Sequence, residues 1–313
     1  MARTPIDLSV PELTGKRVVL TGGSDGMGVV IATRLAAAGA DLVLPVRNPR
    51  KGEAALATIR ERTPTARVSL RDLDLSSLDS TAALGETLRN EGHPIHMFIG
   101  NAGIMHPPER QVTQDGFEIQ FGTNHLGHAA LISHLLPLLR EGEARVTLQI
   151  SIAANQGAVN WDDPNWERSY DSMGAYSHSK IAYGLFGLEL DRRSKANGWG
   201  ITANLSHPGV APTSLLDVRP EIGRTQAVRA RGLITFLSRV GIMGTVATAG
   251  LPALMAATTP GEQGGKLFGP NGIRGLGGRP AEQKLYSRLR STDDARRMWE
   301  LTQNLTKVPF PTD

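Results

Sequence analysis

Short apolar runs alternate along the chain with longer stretches in which apolar positions recur at helical spacing. Arg17–Thr21 (RVVLT) reads as a buried strand, and Met27–Ala38 as the helix after it, closed by Gly39. Asp41–Val46 is the next strand and Lys51–Arg62 the next helix. Val68–Leu73, Ile95–Gly100, Val146–Ser151, Ile201–Ser206 and Lys266–Gly269 supply further strands. Long helical patterns lie between them, over Gln114–Arg140 and Gly174–Ala196. This alternation predicts an α/β fold: a parallel sheet of about seven strands, helices on both faces, right-handed crossovers. The pattern runs from about residue 14 to about residue 270 without a linker, so residues 1–313 read as a single domain.

The longest interruption between strands is Leu215–Thr259. A bare loop of that length is uncommon in a compact domain, so extra helices are expected there. The stretch carries Arg219, Arg224, Arg229, Arg231 and Arg239 against Asp217 and Glu221, with an apolar run at Leu233–Leu237. Residues from about 210 to 259 are therefore expected to form a lid whose apolar face meets a hydrophobic substrate; contact with a membrane surface or a plain solvated helix are the other readings. A C-terminal helix is expected over about 291–305, capped by Ser291, with Asp293 and Asp294 early and Met298, Trp299 and Leu301 docking on the core.

Composition narrows the chemistry. There is no Cys, which removes a disulfide framework, a Cys-ligated metal and a thiol nucleophile. Lys+Arg 34 against Asp+Glu 30 leaves a net charge of +4, and only 5% of the chain is aromatic, so nucleic acid is not an expected partner. Met1 to Lys16 holds prolines and acids without an apolar core, so no secretory signal is expected. No run approaches roughly 18 apolar residues, so no stable membrane insertion is expected either. The expected location is the cytoplasm.

Directly after the first strand comes Thr21-Gly22-Gly23-Ser24-Asp25-Gly26-Met27-Gly28. A strand–glycine turn–helix unit puts free N–H groups and a positive helix end where a pyrophosphate can sit. Gly22 would permit the tight turn, Gly26 the approach of phosphates, and Gly28 close packing of helix on strand. An ordinary glycine-rich βα turn is the competing reading; the position after the first strand of an α/β chain favours the dinucleotide. The second strand ends Pro45-Val46-Arg47-Asn48, with no acid between Leu42 and Arg50. An acid near this point would hold a ribose 2′-OH, whereas Arg47, helped by Arg50 and Lys51, suits the 2′-phosphate of NADP. Asp25 works against a phosphate, and a solvated strand-end arginine is the alternative. Pro45 donates no ladder hydrogen bond, so local distortion is expected there.

Tyr176-Ser177-His178-Ser179-Lys180 opens a helical stretch, so the phenol and the ammonium share one face. A nearby cation favours phenolate, and the lysine is expected to lower the tyrosine pKa toward working pH.

Thr21–Gly28, Asn101-Ala102-Gly103, Asn124, Ser151, Tyr176/Lys180 and Pro208-Gly209 together occur in the order and spacing of the short-chain dehydrogenase/reductase family. The chain resembles that family over roughly residues 14–270. It looks most like the branch of retinol dehydrogenases, WW-domain oxidoreductases and protochlorophyllide reductases, through Thr123-Asn124-His125-Leu126-Gly127-His128, Val46-Arg47-Asn48 and the long insert between Ser151 and Tyr176. Gly100 and Ile150 depart from the family pattern without removing a catalytic group.

The resemblance implies a Rossmann-type doubly wound sheet and an NADP(H)-dependent oxidoreductase. That enzyme would interconvert a carbonyl and an alcohol on a fairly hydrophobic small molecule. Tyr176 would be the general acid/base, Lys180 would hold the nicotinamide ribose, Ser151 would bond the substrate oxygen, and Asn124 would anchor a water in a proton relay. Thr21, Gly22, Ser24, Asp25, Gly26, Met27 and Gly28 would cradle the cofactor, with Arg47 and Asn48 at its adenosine phosphate. Asp74 and Leu75 would border the adenine. Asn101, Ala102 and Gly103 would pass close to the adenosine ribose. Pro208, Gly209, Val210 and Thr213 would meet the nicotinamide amide or the phosphates. A homodimer is an assembly the family allows. Reduction of a C=C bond and a non-catalytic NADP-sensing protein are the alternative functions.

No metal is expected. His125, His128 and His134 share a helical stretch but no carboxylate joins them between Phe121 and Arg140, so satisfied or solvated histidines are expected. Asp162 and Asp163, beside Pro164 and Asn165, read as a turn. Trp161 and Trp166 line a pocket or cover its edge; the sequence does not choose.

Overall fold

The computed structural model describes residues 6–261 and 264–310. In chain order the elements begin with β1 (Arg17–Thr21), α1 (Gly26–Ala37), β2 (Asp41–Val46), α2 (Pro49–Arg62), β3 (Arg67–Asp72), α3 (Leu78–Glu91) and β4 (Met97–Gly100). A short α4 (Ile119–Phe121), a π-helical turn (Gly122–Leu126) and α5 (Gly127–Glu141) follow. Then come β5 (Arg145–Gln149), α6 (Ser172–Asn197) and β6 (Thr202–Ser206). The chain continues through α7 (Arg231–Arg239), α8 (Val246–Ala249), α9 (Leu251–Thr258), β7 (Leu267–Pro270), β8 (Pro280–Gln283) and α10 (Thr292–Thr306).

The strands form one 8-stranded sheet in the order β3-β2-β1-β4-β5-β6-β7-β8. All neighbours pair in parallel except β7 with β8, which are antiparallel. The expected parallel sheet is thus present, extended by a short edge strand whose sequence (PAEQ) carries no apolar alternation to announce it. Side chains alternate across the sheet. Val18 and Leu20 enter one core cluster with α1 and α9; Val19 enters the other, with α3, α5, α6 and α10.

Two expectations are corrected and a third is narrowed. The helical pattern over Gln114–Arg140 is broken: the helix starts only at Ile119, capped by the Glu118 carboxylate accepting from Phe121 N at 2.7 Å, and widens into the π turn. Gly127 permits that path, because a Cβ there would stand 2.1 Å from the Leu75 carbonyl oxygen. The stretch 210–259 is not one lid. Leu251, Ala253, Leu254 and Ala257 of α9 are core residues on the sheet, so that part is a crossover helix between β6 and β7. The local distortion expected at Pro45 is confined to one side of β2, which pairs with β3 through Val46 while its register with β1 stops earlier, at Val43.

α10 starts at a Ser291 cap, whose hydroxyl accepts from Asp294 N at 3.0 Å. It packs Trp299 flat on Phe186, centroids 5.0 Å apart. No helix among the described residues is long and apolar enough to cross a membrane.

Candidate active site

From β1 the chain winds outward one way through β2 and the other way through β4, so the carboxyl ends of β1 and β4 flank a topological switch point. A cleft of about 1060 Å³ opens there. Every residue assigned to the site from sequence lines this cleft except Asn124, which is fully buried behind it.

At one end lies the glycine turn. Gly22 and Gly26 have φ of +66° and +51°, conformations that favour glycine. A Cβ on Gly28 would lie 1.9 Å from the Gly22 carbonyl oxygen, so only glycine lets α1 start this close to β1. Asp25 precedes α1 but accepts no capping hydrogen bond from it. Thr21 and Asn101 fix the turn from behind: Asn101 Nδ2 donates to the carbonyls of Thr21 and Gly22 at 3.1 and 3.2 Å. Asn101 Oδ1 is buried with no partner, a polar atom left unmet beside the cleft.

Charges gather at the adenosine end. Lys51 Nζ lies 2.9 Å from Asp25 Oδ2. Burial pushes the Asp25 carboxyl up, but the hydrogen bond and charge of Lys51, with Ser214 and Arg219, hold it below its usual value. Arg47 faces Glu221 at 3.9 Å, and Glu221 also lies 3.5 Å from Arg219. Asn48 spends its side-chain oxygen on capping α2, accepting from Lys51 N at 3.2 Å. Asp74 is likewise engaged, its Oδ1 accepting from the backbone and hydroxyl of Ser76.

At the other end, α6 begins at Asp171, which accepts from Gly174 N at 2.7 Å, and carries Tyr176 and Lys180 one turn apart into the cleft wall. Both are nearly buried, at 5% and 4% exposure. Lys180 Nζ donates to the Gln149 carbonyl at 3.0 Å. The expected lowering of the phenol pKa is corrected: burial pushes Tyr176 up, opposed by a hydrogen bond with the Ser151 side chain, and no contribution from Lys180 offsets it. Burial also lowers Lys180, to about 8. A shared helix face brought the two groups together, but desolvation of each outweighs their mutual effect. Ser151 Oγ accepts from Ala153 N at 3.2 Å and opens a short 3₁₀ turn.

The side chain of Asn124 is fully engaged within the protein. Its Oδ1 accepts from Ile104 N at 2.8 Å, and its Nδ2 donates to the Ile104 carbonyl and Ser179 Oγ, both at 3.0 Å. It clips the chain after β4 to α6. Gly103 lies over it, and a Cβ there would come within 3.1 Å of Asn124 Oδ1 and 3.4 Å of Lys180 Nζ. Gly209 has φ +70° and lies against the 275–276 backbone, where Val210 N donates to the Leu276 carbonyl.

Gln149, Ser214, Arg219 and Glu221 line the cleft without having been singled out as site residues. Gln149 stands two residues before Ser151 at the carboxyl end of β5, a placement that could have marked it. Ile104, Met105, Ile152, Met173, Leu215 and Leu216 make much of the remaining wall apolar. Leu233–Leu237, the run expected to meet the substrate, does not line the cleft.

The histidines are structural. His125, His128 and His178 are fully buried, and burial lowers each to about 3, so they are neutral. No group of three or more His, Asp or Glu among the described residues could hold a metal. Asp163 closes a turn by accepting from the backbone of Glu167 and Arg168. Trp161 lies under the Arg297 guanidinium and Trp166 against Tyr170 and His178, so neither lines the cleft.

Comparison with known proteins gives the family and the fold. Residues 16–221 match the family described as short chain dehydrogenase. Human retinol dehydrogenase 13 is 41% identical over 205 residues, covering 65% of this chain and 61% of that protein. Mouse retinol dehydrogenase 12 is 42% identical over 200 residues, covering 64% and 62%. The match thus spans about three fifths of the length of these two curated relatives. Mouse retinol dehydrogenase 14 is 31% identical over 94% of this chain and 86% of its own. Among solved structures, an uncharacterized protein from Mycobacterium paratuberculosis superposes with a TM-score of 0.75 at 33% identity, covering 96% of this chain and 97% of that one. The Pseudomonas aeruginosa RhlG/NADP active-site complex shares the fold, with a TM-score of 0.60 at 23% identity over 82% of this chain and 94% of that one. The chain belongs to the short-chain dehydrogenase family.

Proposed function

We propose that the protein is an NADP(H)-dependent oxidoreductase that interconverts a carbonyl and an alcohol on a fairly hydrophobic small molecule. The observation that carries this reading is one cleft with the glycine turn at one end and Ser151, Tyr176 and Lys180 at the other.

The residues present fit a dinucleotide. The turn is built so that side chains are excluded at Gly22 and Gly28, and Asn101 Oδ1 is a buried acceptor without a partner. Arg47, Arg50 and Lys51 supply positive charge for a 2′-phosphate, against Asp25 and Glu221. When bound, the nicotinamide cofactor supplies or accepts the hydride.

The chain's own residues orient the substrate and move the proton. Ser151 Oγ and Tyr176 Oη together hold the substrate oxygen. Tyr176, protonated because burial raises its pKa, delivers its proton to that oxygen during reduction and takes it back during oxidation. Lys180, held by the Gln149 carbonyl, offers its ammonium to the nicotinamide ribose rather than shifting the phenol. Asn124 and Gly103 keep the lysine's surroundings in register. The apolar wall from Ile104 to Leu216 shields the reacting centre from water. Relatives named retinol dehydrogenases support an apolar alcohol or its aldehyde as substrate.

The test is NADPH oxidation against aldehydes and ketones graded in size and apolarity. Turnover that rises with apolar surface is expected. NADPH binding without turnover of any carbonyl or alcohol would overturn the reading, and conversion of an enone to its saturated ketone would assign C=C reduction instead.

A further inference from the structure

We propose that α7 and the loop around Ile273 form a docking face for an anionic lipid bilayer. α7 packs inward through Ile234 and Ser238, whose hydroxyl donates to the Gly244 carbonyl. Its other side presents Leu233 and Phe236 at 60% and 59% exposure. The turn after the helix presents Ile242 at 40%, and the loop beside it presents Ile273 at 69%. That loop and the turn touch: a Cβ on Gly277 would stand 3.0 Å from the Ile242 carbonyl oxygen. Four large apolar side chains on two adjoining segments thus face water in one region, which soluble surfaces ordinarily avoid.

The charge around them is mainly positive. No Asp or Glu occurs between Ile222 and Gly261, whereas Arg224, Arg229, Arg231 and Arg239 do. Arg224 is buried and Arg231 pairs with Asp217 at 2.5 Å. Arg229, Arg239 and Arg274 are exposed and have no acidic partner among the described residues. An amphipathic helix with Leu and Phe on one side and Arg at the flanks lies in the plane of a membrane interface, with its apolar side chains at the acyl boundary and its cations among anionic headgroups. The apolar residues project from a helix and a loop and do not line the cleft, as contact with a broad flat surface requires. The face adjoins the cleft mouth: Val228 N, just ahead of α7, donates to the carbonyl of Leu216, a cleft residue. An apolar substrate dissolved in the bilayer would then lie next to the entrance.

The test is flotation of the full chain with phosphatidylcholine vesicles, with and without phosphatidylserine. Partition onto the serine-containing vesicles is expected, with little onto the neutral ones. Leu233→Ser with Phe236→Ser, and separately Arg229→Gln with Arg239→Gln, each lower partition on the order of tenfold or more. Both variants alter exposed positions, and an unchanged melting temperature verifies their fold. No partition onto either vesicle, or equal partition of wild type and variants, would overturn the proposal. So would self-association in the absence of vesicles that the Leu233/Phe236 variant abolishes, because a second copy would then be the occupant. The readout needs no turnover and is independent of the reaction proposed above.

Discussion

Thr21 and His128 are joined by a buried hydrogen bond of 2.9 Å between Oγ1 and Nε2, and counting protons gives its direction. Thr21 Oγ1 already accepts from Asn101 N and Ala102 N, both at 3.0 Å, so its own proton goes to His128 Nε2. Neutral His128 therefore carries its proton on Nδ1 and donates to the Asn124 carbonyl at 3.2 Å. One imidazole thus ties the end of β1, the chain after β4 and the π turn together. His128→Leu leaves the Thr21 hydroxyl proton without its acceptor and removes the side-chain bond to the Asn124 carbonyl, and is expected to cost about 1–3 kcal/mol. Chemical denaturation measures it; a loss below about 0.5 kcal/mol would contradict this linkage.

Acid should weaken the fold for a related reason. His125, His128 and His178 titrate near 3 when folded, against about 6.5 in an unfolded chain. Their folded pKa is depressed, so the stability they contribute is complete above about pH 6.5 and is lost as pH falls toward 3. At pH 5 unfolding should take up about three protons from these groups. Denaturation midpoints measured between pH 7 and pH 5 check this, and a flat profile would refute it.

The adenosine end makes a prediction about cofactor choice. Arg47→Ala should weaken NADPH by roughly tenfold or more while leaving NADH nearly unchanged, because only NADPH brings a phosphate to that guanidinium. Fluorescence titration of both cofactors reads the difference. Equal losses would remove Arg47 from the phosphate site.

Much of this was legible in the sequence, for identifiable reasons. β1 and β2 are continuous apolar runs bounded by turn residues, and their observed limits equal the expected ones. Gly22 and Gly28 announce a backbone approach that only glycine allows, and Gly26 a positive φ. The rest depends on contacts that local pattern does not encode. The π turn at Gly122–Leu126 runs into Gly127, where the Leu75 backbone leaves no room for a side chain, a contact distant in sequence. α9 has the composition of any apolar helix, so nothing local separates a lid from a crossover helix. Helical spacing placed Tyr176 beside Lys180, but the balance of desolvation and charge that sets their pKa values is a property of the assembled cleft.

That balance sets a pH limit. Lys180 loses its proton as pH rises through about 8, while Tyr176, pushed up by burial, stays protonated there. The rate of carbonyl reduction should therefore fall above about pH 8. Lys180→Arg, whose guanidinium stays charged, should lose that descending limb. A rate constant across pH 6–9.5 for both proteins checks it; an identical descending limb in the variant would assign it to another group.

The most direct measurement is single-turnover reduction of the best carbonyl substrate by Tyr176→Phe, with NADPH affinity measured alongside. Removing only the hydroxyl should leave NADPH affinity within about threefold and lower the rate by roughly 10²–10⁴. Reduction at the wild-type rate, with NADPH still bound, would contradict the assignment of the proton to Tyr176.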